Sequence, residues 1–130
     1  MHAMSESHLF EYAVIRVVPR VEREEFLNVG VVLLCGPQKF LGMRYTLDTH
    51  RLSVFCQDLD LQELQQNLSA FERICKGGRE GGDIGKLSQA ERFRWLTASR
   101  STVVQTSRVH PGLCADAGEM LDRLYAQLVG

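Results

Sequence analysis

Between Val29 and Cys35 the chain reads VGVVLLC, without one polar side chain, and Gly36-Pro37 ends the run. Seven residues are far short of the roughly 20 that a membrane-spanning helix needs. The run is β-branched, shows no alternation and is bounded by a turn signal, which is the pattern of a strand covered on both faces and central in its sheet. Upstream, Phe10 to Val18 (FEYAVIRVV) is a second strand, rich in β-branched and aromatic residues and stopped by Pro19. The charged stretch from Arg20 to Glu25 separates the two. Gly36-Pro37-Gln38 turns the chain into a further strand over Lys39 to Thr46, so the last two strands form a hairpin. Residues 10–46 thus supply a small antiparallel sheet.

The pattern then changes period. Leu61, Leu64, Leu68, Phe71 and Cys75 recur at helical spacing, and polar residues such as Gln62, Gln65 and Glu72 occupy the other face. Five glycines within 76–86 end that helix and predict a mobile connection. Ser88 followed by Glu91 has capping-box spacing, which starts a helix over Gln89 to Ala98 with Ala90, Phe93, Leu96 and Thr97 on its core face. Ser101 to Ser107 (STVVQTS) alternates as a fourth strand, and Pro111-Gly112 is read as a turn. Asp116 and Glu119 repeat the capping spacing before a closing helix striped by Leu121, Leu124 and Leu128. The order βββααβα predicts an α+β fold: a small antiparallel or mixed sheet of about four strands with three helices, mainly on one face. One domain spans 10–130, preceded by a flexible N-terminus at 1–9 in which Met4 is a second possible start.

Composition narrows function more than it identifies it. Fifteen Lys and Arg against sixteen Asp and Glu give a formal net charge of −1, so no global field draws nucleic acid or an anionic membrane to the chain. The first residues lack the apolar core of a signal peptide. Cys35, Cys56, Cys75 and Cys114 are irregularly spaced and three of them lie in apolar patterns, as reduced, buried thiols do. A cytoplasmic chain with no disulfide, cofactor or metal is expected.

Three segments together resemble a known family: EYAVIRVVPRVEREEFLNVGVVLLC at 11–35, GGDIGKLSQAERFRWLTASRSTVVQTSRVHPGLC at 81–114, and the closing helix. They are similar to the bacterial family of domain of unknown function 3037. The resemblance implies a small bacterial cytosolic domain with no established activity. It further implies a protein partner, a HipA-like kinase encoded nearby. Asn28, Gly30, Gly85, Arg92, Phe93, Trp95, Leu96, Arg100, Ser101, Thr102 and Gly112 match the family pattern, which gives none of them a role.

The residues themselves offer one candidate surface. From Arg73 to Arg108 stand eight basic residues against three acidic ones, in a chain that is acidic elsewhere. Arginine suits anion recognition because its planar fork donates two parallel hydrogen bonds and stays charged. On a helical wheel Trp95 falls away from Phe93, so it is surface-directed unless another segment covers it. Arg44, Arg92, Arg94, Trp95, Arg100, Ser101 and His110 are therefore the expected partner-binding or anion-binding residues. Convergence of Arg44, Arg92, Arg100 and His110 in a cleft would favour a phosphorylated or nucleotide-like ligand, and a patch around Trp95 would favour a protein.

Other constellations are weak. The glycines at 77–86 miss the phosphate-loop spacing, because Glu80 stands where its first Gly belongs and Leu87 follows Lys86. His110 and Cys114 make at most half a metal site, and Cys35 in a buried strand is inert. No nucleophile, base or metal set stands out. A non-enzymatic interaction or regulatory module is thus favoured over an enzyme, and nucleic acid is an improbable ligand.

Overall fold

The computed structural model describes residues 7–19, 25–100 and 102–130. Along the chain stand β1 (His8–Val17), β2 (Leu27–Cys35), β3 (Phe40–Tyr45), α1 (Thr49–Phe55), α2 (Leu61–Lys76), α3 (Gln89–Thr97), β4 (Val104–Thr106), β5 (His110–Cys114) and α4 (Ala117–Leu128). The class is α+β, as expected, with five strands and four α-helices among the described residues. The additions are α1 and β5. No helix among the described residues is long and apolar enough to cross a membrane.

All strand pairs are antiparallel, in the order β3-β2-β1-β4. β5 continues the β4 edge by pairing with the first half of β1, from His8↔Cys114 to Tyr12↔His110. Between β4 and β5, buried Ser107 keeps the ladder satisfied, because its hydroxyl accepts from Val14 N at 2.9 Å and its own N–H donates to Val14 O at 2.8 Å. The Pro111-Gly112 turn expected from sequence is therefore a strand. Proline is tolerated there because β5 is an edge. Gly112 is required because a Cβ at that position would lie 2.5 Å from Cζ of Phe10, whose ring covers the glycine.

The apolar run of β2 is central and buried on both faces. One face holds Ala13, Ile15, Val17, Val32 and Leu34 under α1, α2 and α3, with Leu52, Leu64, Leu68, Phe93 and Leu96 in the same cluster. The opposite face holds Phe10, Val31, Leu33 and Cys35 under α4, which supplies Leu121 and Leu124. Three helices share a face and the fourth covers the other. Val29 breaks the alternation: it joins the first cluster although Val31 and Leu33 join the second. A bulge explains this, since Ile15 pairs with Gly30 and Arg16 with Asn28, which leaves Val29 as the extra residue and flips the phase of β2. Gly30 permits the close approach, because a Cβ there would meet Arg44 O at 2.7 Å.

Every α-helix has an N-cap acceptor: Asp48, Asp60, Ser88 and Asp116 take hydrogen bonds from the backbone N–H three residues on. Ser88 and Glu91 form the full capping box. The core face of α3 departs from expectation in that Ala90 is exposed while Arg92 is buried. The 76–86 connection carries regular local structure. Two 3-10 turns, Arg79–Gly81 and Ile84–Lys86, are tied together by Gly78 N–H donating to Gly85 O at 2.8 Å.

Candidate functional site

Arg92, expected at the surface, is buried. Only 8% exposed, it threads from α3 beneath the end of α2, where Nε donates to Leu87 O at 3.1 Å and Nη1 to Ile74 O at 3.0 Å and Cys75 O at 2.8 Å. A helix C-terminus leaves its last carbonyls without intrahelical donors, and a cation there also opposes the negative end of the helix dipole. Gly77 makes room, with φ +80 and a Cβ position only 2.4 Å from Arg92 Nη1. Within the glycine loop the N–H groups of Gly77, Gly78, Gly81, Gly82, Lys86 and Leu87 donate to carbonyls of the same region. Arg73 and Lys76 sit in the last turn of α2 and Arg94 in that of α3, where basic residues oppose the helix dipole.

Trp95 and Arg100 do come together. Trp95 is 38% exposed and meets Phe71 of α2 edge to face, with ring centroids 6.4 Å apart. The Arg100 guanidinium lies 4.7 Å from the Trp95 ring and 5.0 Å from the Phe71 ring, and its Nη2 donates to the Trp95 carbonyl. Partial burial pushes its pKa below the ordinary arginine value. Among the described residues no carboxylate lies within ion-pair reach of it. Beside this cation opens a groove of about 200 Å³, lined by Asn67, Ala70, Phe71, Trp95, Arg100, Thr102 and Val104. Its floor is apolar, with Val104 and Phe71 buried. Sequence reasoning found Trp95 and Arg100 but not Asn67, Ala70, Phe71, Thr102 or Val104, because which turn of α2 faces the end of α3 is a tertiary fact.

The remaining expected residues lie elsewhere. Arg44 on β3 faces α4, donates to Asp122 at 2.8 Å and covers the Tyr125 ring at 4.6 Å. His110 at the start of β5 packs against Tyr12, ring centroids 5.3 Å apart and planes tilted by 32°. Arg94 is exposed on α3, and Ser101, like Glu22 and Glu24 of the charged stretch, lies outside the described residues. The four-residue convergence of Arg44, Arg92, Arg100 and His110 is thus not formed: two belong to the α4 side, one is buried between α2 and α3, and only Arg100 borders the groove.

The cysteines are free thiols, with Cys35, Cys75 and Cys114 buried. Burial pushes Cys75 up to about 12, a protonated and unreactive thiol. Among the described residues no three His, Cys, Asp or Glu side chains gather as a metal-ligand set.

The model of one protein family, described as protein of unknown function (DUF3037), matches residues 12–129, nearly the whole chain. No curated protein and no solved structure matches it.

Proposed function

The chain belongs to the DUF3037 family, and we propose that it works as a non-enzymatic interaction or regulatory module of the bacterial cytoplasm, contacting a protein through the surface around Trp95 and Arg100. One observation carries this reading: a tryptophan 38% exposed is held against Phe71 beside an arginine without a described counter-ion. Trp and Arg are the residue types that dominate binding energy at protein interfaces, and here both are fixed before any partner arrives. The first partner to test is a HipA-like kinase.

An alternative reading, a site for a phosphorylated or nucleotide-like anion, draws on the same uncompensated arginine. Size weighs against it. Ligand pockets run from about 300 to 1,000 Å³, and this groove holds about 200 Å³.

The test is affinity capture of the tagged chain from its own cell lysate beside the double variant Trp95→Ala, Arg94→Ala. A stoichiometric protein should elute with the native chain and be lost with the variant, whose Tm falls by only about 5 °C, roughly 1 kcal/mol for a chain of this size. A collapse of Tm would instead mark Trp95 as core, and the reading would fail. Bare protein stabilised by millimolar phosphate would transfer the site to a small anion by mass action.

A further inference from the structure

The groove has the size and polarity of a socket for one residue. Its volume of about 200 Å³ falls below the range of about 300–1,000 Å³ that drug-sized ligands occupy, yet it has an apolar floor of Ala70, Phe71 and Val104 and a cation on its rim. The cation is close to the floor: the Arg100 guanidinium stands 5.0 Å from the Phe71 ring. An occupant must therefore carry an apolar side chain and a negative charge almost at the same point.

Within an extended peptide, neighbouring side chains point to opposite sides, and the next one on the same side is about 6.6 Å further on. An internal acidic residue then places its carboxylate away from the socket or well beyond it. The C-terminal residue of a chain does not have this problem, since its side chain and its α-carboxylate hang on one Cα. A guanidinium fork matches a carboxylate through two parallel hydrogen bonds, and only the Nη2 donation to Trp95 O is spent within the described structure. The Thr102 hydroxyl already donates to Val104 O at 2.8 Å, leaving its oxygen as an acceptor at the rim.

Resting on the interaction-module reading above, we propose that this groove captures the C-terminal residue of a partner protein, an apolar side chain against Ala70, Phe71 and Val104 and the terminal carboxylate on Arg100.

Trp95 is the single tryptophan of the chain, so its indole N–H gives one unambiguous signal in a nitrogen-labelled sample of the full chain. The probes are acetyl-Gly-Gly-Leu as the free acid and the same peptide as its carboxamide. The free acid should shift the indole resonance and saturate at millimolar concentration, with the carboxamide at least tenfold weaker. Arg100→Gln should make the two peptides equal. Ala70→Phe, which fills the groove and leaves Arg100 in place, should weaken the acid at least tenfold while Tm stays within a few degrees of the native value. Equal binding of acid and carboxamide, no shift with either, or full binding by Ala70→Phe would overturn the assignment. Failure here with a protein partner still captured through Trp95 would remove the C-terminal ligand and leave the interaction surface standing. Loss of both would remove the surface itself.

Discussion

Arg92 shows how one side chain can be misplaced by its type and still be structurally decisive. Three carbonyls depend on it, at Ile74, Cys75 and Leu87, so Arg92→Met should leave buried acceptors unpaired and cost about 3 kcal/mol. Urea unfolding would read this as a lower midpoint with an unchanged slope. Arg92→Lys should recover less than half, because an ammonium cannot span Leu87 on one side and the end of α2 on the other. Gly77→Ala attacks the same joint through its φ of +80 and the 2.4 Å approach of Arg92 Nη1. The double variant with Arg92→Met should cost clearly less than the two single costs together, since both remove one joint. The burial of Arg92 had a faint trace in the sequence, because it lies four residues before Leu96 on α3. Its charge hid that trace, as arginine is seldom buried unless its donors are matched, and the carbonyls that match them come from another helix.

At the scale of elements, legibility followed the strength of local pattern. β1, β2 and β3 were readable as β-branched or apolar runs bounded by turn or breaking residues, and α2, α3 and α4 because apolar residues recur at helical spacing. α1 was not, since within its seven residues only Leu52 is buried and Val54 is 74% exposed. β5 was hidden by Pro111-Gly112, whose usual meaning is a turn. It is a strand because it pairs with the first half of β1, and the Phe10 ring lies across Gly112 in that pairing, a contact between residues about a hundred positions apart. Gly112→Ala places a methyl 2.5 Å from Phe10 Cζ and should cost about 1–3 kcal/mol, the range for overpacking. Phe10→Leu in the same chain should return part of that loss, measured by thermal unfolding of the single and double variants, because the smaller side chain vacates the space above position 112. A pair of simply additive losses would show that β5 does not need the ring-over-glycine contact. The groove was half legible for the same reason: Trp95 and Arg100 lie close in sequence, whereas Asn67 and Phe71 reach them only through the packing of α2.

Across the whole molecule, the run from Val29 to Cys35 divides one small chain into two cores, the larger beneath α1 to α3 and the smaller beneath α4. Cys75 sits in the larger one at the end of α2 and gives that core a pH signature. Desolvation raises its pKa from 9.0 to about 12, with Glu72 adding to the rise and Arg92 and Lys76 opposing it. An acid whose folded pKa lies above its unfolded value holds its proton in the folded state after the unfolded chain has lost it. Below pH 9 the thiol is protonated in both states and contributes no slope. Between about 9 and 12 the unfolded state binds fewer protons, so stability falls as pH rises, by about 1.4 kcal/mol per pH unit. The informative quantity is a difference between two proteins that share every other ionisable group. Cys75→Ala will start less stable at pH 8, having lost buried apolar volume, but its stability should fall less steeply above pH 9, and the gap between the two proteins should close as pH rises toward 11. Parallel pH profiles for the two would place Cys75 in contact with water, and the larger core would then have to be open at the α2 end, where Arg92 and the glycine loop seal it.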